Sequence, residues 1–345
     1  MKIKILSIGF ILTSCFAMSQ KVQVKNEAST WKGFIKEKLL IEGKNAYIVK
    51  PKKAIVGNPW LWRARFPNYQ TVADSILVSE GFHLVYINTN NEYGGPTAMR
   101  AWDNLYDYIT QEYKLSKKVA LVGVSRGGLF IYSWAKRNPE KVACIYADSP
   151  VCDFKSWPMG QNGKHSINDW NRLKKVYGFN SDEEAMAYTN NPIDNLEALA
   201  KAKVPILHMI GLQDKTVPYK ENTMILVKRY IELGGTATVV ACSQSKEGSN
   251  GHHIILESPQ YVANFIKYHS LQDAPSNALN YHNMGVGQQN SRLRFDINKQ
   301  GHIAFLGDSI THDGGWRNSL MTYFNQHFPD TKFEFILSGI PYIGK

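Results

Sequence analysis

The stretch KVALVGVSRGGLFIYSWAKR, residues 118–137, decides the fold. Its first part, Lys118–Val124, is apolar almost throughout, the pattern of a strand buried on both faces of a parallel sheet. A helical segment over Arg126–Arg137 follows without a break. At the junction, Gly123-Val124-Ser125-Arg126-Gly127 fits G-x-S-x-G. The pattern by itself is weak because glycine is common. Its place between a buried strand and a helix gives it weight. The glycines let the chain turn sharply without a Cβ clash. A serine at such a turn stands at the tip of the strand, with the helix N-terminus behind it to favour developing negative charge.

On either side of this stretch, short apolar runs alternate with helical ones. That predicts an α/β fold on a mostly parallel sheet with helices on both faces. Ala46–Val49, Trp60–Arg63, His83–Asn88, Ala143–Ala147, Ile206–Ile210 and Thr236–Ala241 read as strands. Thr71–Glu80, Pro96–Tyr113, Lys220–Leu233 and Pro259–Tyr268 read as helices. In the second of these, Met99, Trp102, Leu105, Tyr106 and Ile109 share one face. The regularity lapses after Asp148. Residues 152–200 are rich in Trp, Asn, Gly and Lys, with helices at Ile167–Val176 and Asp182–Tyr188, and are expected to form an insertion over the top of the sheet. The domain so outlined covers residues 25–270. Residues 271–299 are polar and read as a linker, and His302–Leu306 opens a second α/β unit over residues 300–345.

A serine hydroxyl is a poor nucleophile unless a base takes its proton and an acid orients that base. On a strand–turn–helix nucleophile of this kind the partners follow in the order Ser, Asp, His. Asp214 follows the strand Ile206–Ile210 in Gly211-Leu212-Gln213-Asp214. Gly251-His252-His253 follows the strand Thr236–Ala241 after a Gly-containing loop. Both lie beyond the carboxyl ends of strands, where ligands bind in open α/β sheets.

These residues resemble the α/β-hydrolase superfamily over roughly residues 31–270. The resemblance implies a serine hydrolase with Ser125 as nucleophile, Asp214 as acid and His252 as base, and with no cofactor and no metal. His252 is the base because the family's histidine usually stands directly after a glycine, with His253 as the alternative. Asp148, at the end of the strand after the nucleophile helix, is the alternative acid. Acyl transfer also needs two backbone N–H groups aimed at the oxyanion. Arg126 should give one. Trp62, in Trp60-Leu61-Trp62-Arg63, is the candidate for the other, although the family's common His-Gly pair is absent there. Trp62 or Arg63 would also shape the pocket. Core packing is the other reading of the tryptophans.

A second constellation begins at His302. An apolar strand runs into Gly307-Asp308-Ser309-Ile310, which resembles the first block of the GDSL/SGNH esterases. The resemblance implies Ser309 as a nucleophile and Gly339, in Ser338-Gly339-Ile340-Pro341, as an oxyanion donor. The family's third-block asparagine and final Asp-x-x-His have no counterpart before Lys345, so this SGNH-like unit is incomplete and Ser309 has no base within it. A chain ending just after a strand leaves a sheet edge uncovered, so a fragment of a longer protein is the expectation.

The N-terminus reads as an export signal over residues 1–19: Lys2 and Lys4, an apolar run Ile5–Thr13, then Ala17-Met18-Ser19. Leu12-Thr13-Ser14-Cys15 also resembles a lipobox, which would make Cys15 a lipid anchor and the membrane a partner. The expected location is therefore periplasmic or extracellular. Three cysteines remain after Cys15 (Cys144, Cys152 and Cys242), an odd number without CxxC spacing, which argues against a disulfide framework or zinc site. The net charge of +11 is scattered and accompanied by no basic, aromatic-interleaved motif, so nucleic acid is not an expected partner.

The two resemblances together imply carboxylic-ester hydrolysis, with a small-molecule or glycan ester as substrate; the glycan part rests on analogy. Acetyl groups on extracellular glycans are the candidate. A serine peptidase resembling the prolyl oligopeptidases, which share the Ser–Asp–His order, is the same-fold alternative. A non-catalytic carbohydrate-binding protein is the alternative from another class.

Overall fold

The computed structural model describes residues 22–271, 295, 299–307 and 315–339. The chain divides into two units between Ala274 and Pro275. The expectations for residues 1–19, Cys15, Ser309 and most of the linker lie outside the described residues. Among those described, no helix is long and apolar enough to cross a membrane.

The first unit is built on a nine-stranded sheet in the order β1-β2-β3-β5-β4-β6-β7-β8-β9. The strands are β1 Val22–Trp31, β2 Phe34–Ile41, β3 Lys44–Lys50, β4 Trp60–Arg63, β5 His83–Ile87, β6 Val119–Val124, β7 Val142–Asp148, β8 Ile206–Gly211 and β9 Ala237–Cys242. From β5 to β9 every pairing is parallel. β1, β2 and β3 join antiparallel at one side. The mostly parallel α/β-hydrolase fold expected from the sequence is the fold observed.

Two of these strands were not foreseen. Trp31 pairs with Phe34 across Lys32-Gly33, and Ile41 pairs with Lys44 across Glu42-Gly43. All four turn residues have positive φ, the requirement of the tight hairpin turn whose twist matches that of the strands. β2 is only partly buried and carries Lys36, Glu37 and Lys38, so it shows no clean apolar run.

The parallel strands are apolar throughout because both faces are covered. Alternate residues divide cleanly between the two sides. Trp60, Trp62, Val85, Leu121 and Ile145 pack on one face with helices α2 (Pro96–Glu112) and α3 (Gly127–Ala135). Leu61, Leu84, Val122, Cys144 and Leu207 pack on the other with α1 (Val72–Ser79) and a C-terminal helix, Pro259–Ser270. The expected insertion carries α4 Ile167–Tyr177, α5 Asp182–Met186 and a short α6 Glu197–Lys201, followed after β8 by α7 Thr223–Glu232 and, last in this unit, α8 Pro259–Ser270. The aromatic residues of the insertion extend the core on the α2–α3 face, where Phe154 meets Trp170, Tyr177, Phe179 and Tyr188. Lys136, at the end of α3, donates to the carbonyls of Asn190, Asn191 and Asp194 and ties the insertion to the nucleophile helix.

One buried ion pair braces the strand that leads into the site. Arg63, at the end of β4, donates to the Asp74 carboxylate and to the carbonyls of Phe66 and Tyr69. Both side chains of the pair are almost wholly out of solvent, at 2% and 3% exposure. Asp74→Ala strands a buried guanidinium and should cost about 3–5 kcal/mol, read from urea unfolding. A loss under about 1 kcal/mol would mean the pair is solvated in solution.

The second unit pairs β10 (Gln300–Gly307) with β11 (Lys332–Gly339) in parallel, joined through α9 (Gly315–His327). Gly307 and Gly339 stand opposite each other at the ends of the two strands.

Candidate active site

Ser125 has φ +52°, a conformation that costs a non-glycine residue energy and is held by its surroundings. Its N–H donates to the Asp148 carbonyl at 2.8 Å, and its own carbonyl accepts from Gly128 and Val151. Gly123 and Gly128 allow this crowding. A Cβ on Gly123 would lie 2.6 Å from Ile131 Cδ1, and one on Gly128 would lie 2.5 Å from the Val151 carbonyl oxygen. Gly128 was not singled out from the sequence. It is what lets α3 pass the loop after β7.

Residues far apart in the chain converge on this serine. The Ser125 hydroxyl and His252 Nε2 are 2.7 Å apart, and His252 Nδ1 and Asp214 Oδ2 are 2.7 Å apart. With the ring proton on Nδ1, the imidazole donates to the carboxylate and accepts from the serine. Asp214 is fixed in turn, since its Oδ1 accepts from the N–H groups of Thr216 and Val217 at 2.9 and 2.8 Å. Both partners are buried, so the acid–base pair is shielded from water, while Ser125 is partly exposed. Gly251 explains why the histidine follows a glycine. Its φ is +80°, and a Cβ there would lie 2.1 Å from the Gln213 carbonyl oxygen. The acid and base loops therefore touch backbone to backbone.

The two alternatives stand elsewhere. His253 is turned to Tyr69, with ring centroids 5.2 Å apart. Asp148 is buried, and among the described residues no hydrogen bond reaches its Oδ2. Burial pushes its carboxyl up to about 7, against the opposing charges of His252 and Arg63. Such a carboxyl binds its proton more tightly in the folded than in the unfolded chain, where it titrates near 3.8. Its contribution to stability therefore falls as pH rises from about 4 to about 7. Asp148→Asn should flatten that part of the stability profile and add on the order of 2 kcal/mol at pH 8, with little change at pH 4. Thermal unfolding at the two pH values checks this, and an equal effect at both would contradict it.

The oxyanion expectation needs a correction. Trp62 lies in the middle of the ladder, paired to Val85 and Leu121. Its indole is fully buried, stacked on Trp102 at 4.2 Å and edge-on to Trp134 at 5.2 Å. It belongs to the core, and Arg63 to the buried ion pair. A donor must come from beyond the strand end, where N–H groups are released from the ladder. Ala64 N–H still donates to Val122. The next residue, Arg65, lies against the start of α3: a Cβ on Gly127 would be 3.5 Å from Arg65 Cβ and 4.0 Å from Arg65 N. Among the described residues, neither the Arg65 nor the Arg126 N–H meets an acceptor.

The rim of the site carries charges that no sequence signal marked. Arg126 Nη1 donates to Asp169 Oδ1 at 3.0 Å, and Tyr93 and Ser166 donate to the same carboxylate. Burial works to raise the Asp169 carboxyl, but these hydrogen bonds and the Arg126 charge outweigh it and hold it low. Of the second unit's expected residues, Gly339 ends β11 and Ser309 is outside the described residues.

Residues 78–273 match the prolyl oligopeptidase family, a span that holds Ser125, Asp214 and His252. Acylamino-acid-releasing enzyme 1 of Oryza sativa subsp. japonica is 21% identical over 231 residues, which are 59% of this chain and 28% of that protein. The chain thus spans less than a third of that relative's length. A puromycin-hydrolyzing peptidase of Mycobacterium tuberculosis superposes with a TM-score of 0.51 at 12% identity, over 66% of this chain and 37% of that one. An acetyl xylan esterase from Paenibacillus sp. R4 superposes with a TM-score of 0.51 at 17% identity, over 72% of this chain and 88% of that one. At such identities the structural likeness speaks for the fold alone. The family match covers more than half of the sequence, and on that ground the chain belongs to the prolyl oligopeptidase family.

Proposed function

We propose that this protein is a serine hydrolase that acylates Ser125 and cleaves the amide bonds of short acylated peptides. The observation that carries the reading is the unbroken Ser125–His252–Asp214 hydrogen-bond chain at the carboxyl ends of β6, β8 and β9. In the reaction, the Ser125 oxygen attacks the scissile carbonyl while His252 Nε2 takes its proton. Asp214 holds the ring and stabilises the imidazolium. The Arg126 and Arg65 N–H groups receive the oxyanion, with the start of α3 behind them. His252 then returns the proton to the leaving amine, and water, activated by the same base, releases the acyl group.

The family favours the peptide bond over the ester bond that the sequence put first. The rice relative, named for releasing acylamino acids, supports an acylated peptide. Ester cleavage, including deacetylation of an exported glycan, is the second reading, favoured by the sequence Gly307-Asp308-Ser309. Turnover of an N-acetylaminoacyl p-nitroanilide, compared with p-nitrophenyl acetate and an acetylated oligosaccharide, tests the choice. Cleavage of the anilide supports the peptide reading, and release of acetate from the glycan without anilide cleavage overturns it.

A further inference from the structure

Two guanidinium groups border the proposed nucleophile, and the mechanism uses only their backbones. Arg126 follows Ser125 directly, and its guanidinium carbon lies 5.0 Å from the Trp157 ring centroid, 5.9 Å from that of Tyr93 and 6.0 Å from that of Phe66. Arg65 lies against the other side of the turn, with its guanidinium carbon 4.5 Å from the same Phe66 ring. Aromatic walls of this kind orient a guanidinium and strip it of water. Arg65 Nε is shielded from solvent and meets no acceptor among the described residues. Burial, and after it the neighbouring Arg126 charge, lowers the Arg65 guanidinium below its ordinary value.

The acids within reach do not balance this pair. Asp169 is bound to Arg126 and also accepts from Tyr93 and Ser166. Asp214 is committed to His252 and two N–H groups. Asp148 lies below the turn, where burial favours its neutral form. Among the described residues, the Arg65 guanidinium is therefore left without an acidic partner.

The direction of the pair also matters. A leaving group must lie against His252 Nε2 to receive its proton. The Arg126 guanidinium instead faces Trp157, Tyr93 and Asp169, which come from the insertion and the loop before α2. On the proposed reading, that side takes the acyl half of a bound substrate.

We infer that Arg126 and Arg65 form a specificity site for a carboxylate on the acyl-donating residue, so that the preferred substrate presents an acidic side chain next to the bond cleaved. Asp169 occupies Arg126 in the free protein and competes with that carboxylate. This deepens the hydrolase reading and rests on it.

The test compares N-acetyl-glutamyl with N-acetyl-glutaminyl p-nitroanilide, and the same pair as p-nitrophenyl esters. The two acyl groups match in shape and differ in charge. The glutamyl substrate should be favoured in kcat/KM by roughly ten- to hundredfold, the range of a charge-assisted hydrogen bond. Arg126→Gln and Arg65→Gln should each lower the ratio, and the double variant should bring it to about one. Asp169→Asn should raise it by freeing the guanidinium. The ratio is internal to each variant and does not depend on the fraction that folds. If Arg126→Gln gives no folded protein, Asp169→Asn decides: a higher ratio supports the site, and an unchanged or lower one overturns it. Equal cleavage of the two wild-type substrates, with p-nitrophenyl acetate turned over, overturns the site and leaves the hydrolase reading standing. Failure to cleave any of these compounds would sink both.

Discussion

Ser125→Ala should lower kcat for any cleaved acyl substrate by roughly 10⁴–10⁶-fold while leaving the fold intact. The size follows from the geometry. Ser125 is the group 2.7 Å from His252 Nε2, and alanine removes the atom that would bond to the acyl carbon. Alanine at φ +52° carries no more backbone strain than serine, so the loss should appear in kcat and not in the melting temperature. Steady-state turnover beside a thermal melt checks it. Activity within about tenfold of wild type would move the nucleophile elsewhere.

The second large effect separates the two buried acids. Asp214→Asn should cost on the order of 10⁴ in kcat, because an amide no longer fixes the Nδ1–H tautomer that leaves Nε2 free to accept. Asp148→Asn should cost less than about tenfold, since no hydrogen bond joins that carboxylate to the imidazole. His252→Ala should follow Asp214→Asn, and His253→Ala should follow Asp148→Asn. If Asp148→Asn were the more damaging, the acid would belong one strand earlier, with the loop after β8 in a merely structural role.

The parts of this site that were legible in the sequence are those where backbone geometry restricts residue choice. Gly123 and Gly251 each mark a close approach of backbone, the first just before Ser125 and the second just before His252. The strands β4 to β8 were legible because burial on both faces turns alternation into continuous apolar runs. β1 and β2 were not, because β2 is only partly buried and both stretches mix Lys and Glu with apolar residues. The turns Lys32-Gly33 and Glu42-Gly43 were the available signal, lacking the Asn or Asp that usually precedes such a glycine.

The misplacement of the oxyanion donor at Trp62 has a related cause. The apolar run marks Trp60–Arg63 as a strand but does not mark where its ladder ends. An N–H becomes free only past the last rung, which points to Arg65. Asp169 and Tyr93 could not have been found from spacing, because they reach Arg126 from the insertion and from the loop before α2, and neither path leaves a periodic trace. Charge pairs of this kind are set by tertiary contact alone.

The proposed mechanism depends on His252 activating Ser125. A fluorophosphonate, which phosphonylates only an activated serine oxygen, tests it on the intact chain, with the modified residue located by peptide mass spectrometry. One adduct per chain at Ser125, lost in His252→Ala and after denaturation, is the predicted result. An adduct at Ser309, or none on the folded protein, would contradict it.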